Sequence, residues 1–154
     1  LIGLTTGRNL IMDRAGYPVY KEGLFNAPAI KVVLGQGVHS TVYKALSITG
    51  LGNERVTTVP VDGQGRMRAD QLPEMDDHTL LILQAGHVCT GDFDDFETIC
   101  QRAKEAGAYI HIYGAFGMWA AANEKFNHLT KGMELADSWS VDGHKTLNTP
   151  MTAE

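Results

Sequence analysis

Only two cysteines occur among the 154 residues, Cys89 and Cys100. That is too few for a disulfide framework and suits a reducing compartment, so a cytoplasmic location is expected. Long apolar runs are missing as well: none approaches the roughly 20 residues of a membrane-spanning helix. No basic-then-apolar targeting segment opens the chain. A basic stripe is also absent, with 13 Lys plus Arg against 18 Asp plus Glu and a net charge of -5, which argues against a nucleic-acid partner. The six histidines show no zinc-ligand spacing and the two cysteines fall in different elements, so no metal is expected. There is no Gly-x-Gly-x-x-Gly loop and no Walker A motif. The lack of Gly-x-Ser-x-Gly disfavours an α/β-hydrolase.

What is present is an ordinary globular balance, 44% hydrophobic and 20% charged, in a chain long enough for one domain with a core. The chain opens on Leu1 rather than Met and on helix-like sequence, so it is expected to be a piece of something larger. Apolar runs alternate with helical patterns, the signature of βαβ units and a parallel sheet. Leu1 to about Asp13 reads as a helix ended by Gly16, Lys31 to Leu34 as a strand, and Ser40 to Ile48 as a helix with Gly50 beyond it. Arg55 to Val61 reads as a strand, and Gln64 to Glu74 as a turn and a short helix. The run TLLILQ, Thr79 to Gln84, predicts a central strand buried on both faces. Asp94 is expected to cap a helix closed by Gly107. Ala108 to Tyr113 predicts a strand with Tyr109, His111 and Tyr113 on one face, Trp119 to Leu129 a helix, and Ser138 to Val141 a last strand.

An open parallel sheet binds ligands at the carboxyl ends of its strands. The residues just past those ends are Gly35, Gln36, Gly37 and His39; Gly86, His87, Cys89, Thr90 and Asp92; Tyr113, Gly114 and Ala115; and Asp142, His144 and Lys145. Glycines and polar groups there also make ordinary βα turns. Lys145 stands out: a lysine wedged among small and polar groups can lose solvation and become a nucleophilic amine, whereas most lysines are solvated surface groups. His39 has two readings, stacking on a flat ligand or capping the next helix. His111, in mid-strand, reads as a buried core histidine, and His144 as a ligand contact or a helix cap.

Five segments carry a resemblance. They are HSTVYKAL (39–46), VTTVPVDGQGRM (56–67), LQAGHVCTGDFDDF (83–96), HIYGAFGMWAA (111–121) and ADSWSVDGHKTLNTP (136–150). In this order they resemble the group II pyridoxal-phosphate-dependent amino-acid decarboxylases, which share the large domain of the aspartate aminotransferase superfamily. The resemblance implies pyridoxal phosphate as cofactor, an amino acid as substrate, and a homo-oligomer. It implies an α/β fold of three layers, a mainly parallel sheet of about five strands in the order 2-1-3-4-5 with helices on both faces. Lys145 matches the lysine that holds the cofactor as a Schiff base, and His39 the histidine that stacks on the pyridine ring. Ala115 matches the small residue on the other ring face, Thr90 a hydroxyl near the cofactor, and His144 the histidine beside the Schiff-base lysine.

Two positions depart from the pattern. His87 stands where the family usually has Asn. Tyr113 stands where the family has an Asp that pairs with the pyridine nitrogen; a phenol there can hydrogen-bond the nitrogen but is neutral near pH 7. Residues 1–154 are accordingly expected to be one partial cofactor-binding large domain, without the phosphate-loop segment before residue 1 and without the C-terminal small domain. Weak or absent turnover of the isolated chain follows as the expectation. The alternative is a non-catalytic remnant or interaction module with the same fold. The fifth strand is expected to be an open edge that favours self-association.

Overall fold

Runs rich in β-branched, leucine and aromatic residues form five strands, β1 (Lys31–Gly35), β2 (Val56–Val59), β3 (Thr79–Gln84), β4 (Tyr109–Tyr113) and the short β5 (Ser138–Ser140), which centres on Trp139. The computed structural model describes residues 1–150. Its strands lie in the order β2-β1-β3-β4-β5, and every neighbouring pair is parallel. All six residues of β3 are buried, as the unbroken apolar run requires of a strand covered on both faces.

Period-two alternation then divides the core into two layers. On one face Val32, Leu34, Leu80, Ile82 and Tyr109 pack against helices α1 (Ile2–Arg14) and α3 (Ser40–Ile48). On the other, Val33, Leu81, Leu83, Ile110 and Ile112 pack against Ile99, Cys100 and Ala103 of α4 (Phe96–Glu105). Two one-turn helices, α2 (Val19–Glu22) and α5 (Gly143–Thr146), complete the set. Gly16 and Gly50 adopt φ of 71° and 75° just beyond α1 and α3, the left-handed backbone that closes a helix at little cost only with glycine. Burial pushes the Cys100 thiol up to about 12, so it remains a protonated core group.

Three local expectations are corrected. The cap of α4 is Asp95, whose carboxylate accepts the Thr98 amide at 3.1 Å. Asp94 instead turns inward and accepts the amides of Met67 and Gln84, each at 2.7 Å, tying the segment after β2 to the end of β3. Truncating the true cap, Asp95→Ala, is expected to lower stability by about 1 kcal/mol, read from the urea midpoint; an unchanged midpoint would show that the first turn of α4 needs no cap.

The helix expected over Trp119 to Leu129 is two 3-10 segments, Gly117–Ala122 and Asn127–Thr130. Asn123 separates them: its Oδ1 accepts the Lys125 amide at 2.9 Å and its carbonyl accepts the amides of Phe126 and Asn127. This is the local side-chain competition that breaks helices. The short helix expected between Gln64 and Glu74 shrinks to Ala69–Gln71. Val61 and Met67 form an antiparallel bridge before it, and Leu72 is extended ahead of Pro73, as a residue before proline prefers.

Candidate active site

Three loops and one helix end meet at the carboxyl edge of the sheet. His39 leads from β1 into α3 and caps it, its Nδ1 accepting the Thr41 amide at 3.3 Å. Both sequence readings of His39 therefore bear on one side chain, because the same ring also lies nearly parallel to the Tyr113 ring, tilted by 15° with centroids 6.0 Å apart. Thr41 bridges the two: its Oγ1 lies 2.8 Å from His39 Nδ1 and its hydroxyl donates to the Tyr113 hydroxyl at 3.0 Å.

Strand register places the next groups. Parallel pairing sets His111 beside Ser138 and Tyr113 beside Ser140, so one face of two strands carries four polar side chains in a row. His111 is buried, with Nδ1 2.7 Å from Ser138 Oγ, and burial holds its imidazole down at about 4. It is the neutral core histidine expected from its place in the strand. Ser140 Oγ is buried too, but has no hydrogen-bond partner among the described residues.

Beyond β5 the chain turns back on β4, with the Asp142 amide donating to the Ala115 carbonyl at 2.9 Å. One turn later Lys145 Nζ meets Asp142 Oδ2 at 2.5 Å. The lysine side chain is 39% exposed and its partner 26%, so the amine stands at a rim rather than in the core. A cleft of about 250 Å³ is lined by Thr41, Tyr113, His111, Ser140 and Asp142, with Ile82 among its apolar walls. That is close to the roughly 300 Å³ at the lower end of small-ligand pockets.

The profile of the family described as "Pyridoxal-dependent decarboxylase conserved domain" matches residues 12–153. The chain belongs to this family. Among curated relatives, a glutamate decarboxylase-like protein of Gibberella zeae is 27% identical over 98% of the chain and 30% of its own length. An L-aspartate decarboxylase of Metarhizium robertsii is 34% identical over 74% of the chain and 24% of its own length. The domain thus spans under a third of the curated relatives it matches. Among solved structures, the glutamate decarboxylase domain of a Vibrio parahaemolyticus protein superposes with a TM-score of 0.81 at 28% identity, covering 95% of this chain and 34% of that one. Mouse CSAD superposes with a TM-score of 0.84 at 23% identity, covering 97% and 33%. The chain shares their fold, including the parallel sheet described above.

Of the residues singled out from sequence, Tyr113 lines the cleft itself; His39 adjoins it by its ring contact with Tyr113, and Lys145 by its ion pair with Asp142. Ala115 is buried beside them and holds Asp142 through its carbonyl. His144 is half-buried and adjoins Lys145 in α5. Thr90 is turned elsewhere: its hydroxyl donates to the Gln64 carbonyl at 2.6 Å, within a loop where the His87 ring packs close over Gly65. Sequence reasoning overlooked two groups as site residues, Thr41 and Ser140, and placed Asp142 past the last strand without giving it a role. Asp142 had a readable signal, an acid three residues before the lysine across one helical turn. Ser140 had another, the period-two alternation that puts it on the same face of the last strand as Ser138. Thr41 had none, because its role depends on a ring from a strand 72 residues away. Among the described residues no group of three or more His, Cys, Asp and Glu side chains is placed to hold a metal ion, and no helix is long and apolar enough to cross a membrane.

Proposed function

We propose that the chain provides the cofactor-binding core of a pyridoxal-phosphate-dependent amino-acid decarboxylase, with Lys145 as the amine that holds the cofactor. The observation that carries this reading is the Lys145–Asp142 pair at the rim of a cleft whose wall bears an unpartnered Ser140 hydroxyl. An unpaired buried polar group is costly unless something satisfies it, and a polar ligand atom at that wall would do so. The lining also fits a flat aldehyde chemically: an amine at the rim, an imidazole and a phenol, and apolar walls. Bound there, pyridoxal phosphate supplies an aldehyde for the amine and an electron-poor ring that takes up the electrons released as carbon dioxide leaves.

The chain's own groups divide the remaining work. Asp142 pairs with the Lys145 ammonium and orients it toward the cleft, and the amine must shed its proton before it can act as a nucleophile. His39, anchored as the cap of α3, offers a flat ring for stacking, and Ala115 leaves room opposite because it has no side chain beyond Cβ. His144 and Thr90 complete the proposed cofactor contacts, Thr90 after release from Gln64. Tyr113 places a phenol where the resemblance implies a carboxylate, which supports slow turnover by this chain. Residues 1–154 are read as one partial large domain of a cytoplasmic homo-oligomer. Two free cysteines, and Trp139 and Val141 exposed along the open β5 edge, support that reading.

Reduction with borohydride after incubation with pyridoxal phosphate is the direct test. Stoichiometric labelling of Lys145, lost in Lys145→Arg, is the expected result. Labelling scattered over surface lysines, or none, would overturn the assignment.

A further inference from the structure

The contact between Tyr113 and His39 leaves no room between their rings. The two rings are parallel within 15°, so the 6.0 Å between their centroids is an upper limit on the spacing of their planes. A third ring inserted between them needs about 7 Å, two van der Waals contacts of about 3.5 Å each. The phenol is also fastened. Thr41 reaches His39 Nδ1 and the Tyr113 hydroxyl at once, at 2.8 and 3.0 Å. Thr41 and Tyr113 line the cleft, and His39 meets it through them.

We infer that Tyr113 is a resident occupant of the ring-stacking place: latched by Thr41, its phenol covers one face of the His39 imidazole, and a flat pyridine ligand gains that face only by displacing it. This rests on the reading of the cleft as a cofactor site and adds a regulatory element to it. Cofactor loading then includes a swing of the Tyr113 side chain that breaks the Thr41 hydrogen bond. Tyr113 is a competitor in the resting chain rather than a contact, and Thr41 is the residue that positions it.

The two roles predict opposite signs. Removing a contact weakens binding; removing a competitor strengthens it. The probe is pyridoxine 5′-phosphate, which has the ring and the phosphate but no aldehyde, so its affinity is independent of amine chemistry at Lys145. Dissociation constants are measured by calorimetry for the parent chain, Thr41→Val and Tyr113→Ala. Thr41 is exposed at the first turn of α3, and valine retains the amide that His39 caps. Thr41→Val is expected to bind about fivefold more tightly, the worth of one hydrogen bond, and Tyr113→Ala about tenfold or more, with the aromatic contact also gone.

Equal or weaker binding by both variants overturns the latch, and so does undetectable binding by all three chains. Borohydride trapping with pyridoxal phosphate, run in parallel, separates the two readings. Tighter binding by the variants without a Lys145 adduct leaves the latch standing and removes the lysine assignment. A Lys145 adduct with weaker binding by the variants does the reverse.

Discussion

Replacing Gly7 with valine is expected to destabilise the chain by about 3 kcal/mol, the upper part of the range for overpacking a filled core. A glycine inside a helix is ordinarily a weakness of about 1 kcal/mol relative to alanine, so on a free helix surface the change toward a larger residue would help. Here α1 lies so close to β4 that a Cβ on Gly7 would stand 2.6 Å from the Tyr109 ring and 3.0 Å from Leu80 Cδ1. Gly3, one turn earlier, faces His111 in the same way at 2.6 Å. The two glycines sit four apart on one helix face over two residues that sit two apart on one strand face, so each glycine has its own ring beneath it. Tyr109 is 2% exposed and has nowhere to go, so the helix itself must lift. Urea unfolding is the measurement. A lowered midpoint at unchanged slope is expected, with a fall in Tm of roughly 6–12 °C for a chain of this size. An unchanged or higher midpoint would mean that α1 can move away without loss of packing.

The second large effect concerns acid. Two buried groups, one in mid-strand and one in the loop after β3, respond to pH with opposite sign. His111, held down at about 4 by burial, takes up its proton near 6.5 when unfolded. The unfolded chain therefore binds more protons between about pH 6.5 and 4, and stability falls as the pH drops through that window. Asp94 is the reverse. Burial raises it to about 6 against an unfolded value of 3.8, even though two backbone amides donate to it. Its native state binds more protons between about pH 6 and 4, so stability rises as the pH drops. Each shift corresponds to about 3 kcal/mol at 1.36 kcal/mol per unit, so the two nearly cancel in the parent chain.

Separating them exposes each slope. The stability deficit of Asp94→Asn relative to the parent is expected to widen by about 2 kcal/mol as the pH falls from 6 to 4. For His111→Asn the deficit is expected to narrow by a similar amount. Urea titrations at a series of pH values give both curves, and differences that stay flat with pH would show that these groups do not titrate as buried.

Most strands were legible in the sequence because strand burial is a property of consecutive residues. TLLILQ is apolar through its four middle residues and is buried throughout; YIHIY alternates, and its two faces enter different cores. The glycines that close α1 and α3 were legible for a similar reason, since a left-handed residue announces itself locally. The misplacements were also local, but they turned on competition. Asp94 and Asp95 are equivalent as caps on sequence grounds. Two distant amides, of Met67 and Gln84, draw Asp94 inward and leave the cap to its neighbour.

The sequence by itself determined the α/β class, the places of the five strands and the DGHK segment that puts Lys145 past the last strand. A motif of adjacent residues survives in one dimension, and so does a run whose burial follows from its own periodicity. The tertiary structure alone decided that Thr41 joins His39 to Tyr113, that Ser140 is left without a partner at the wall of a cleft, and that Gly3 and Gly7 admit two rings beneath α1. Each of these joins residues from separate elements whose distance depends on how helices and strands pack. No local pattern encodes a distance of that kind, because it is set by the volumes of all the side chains between.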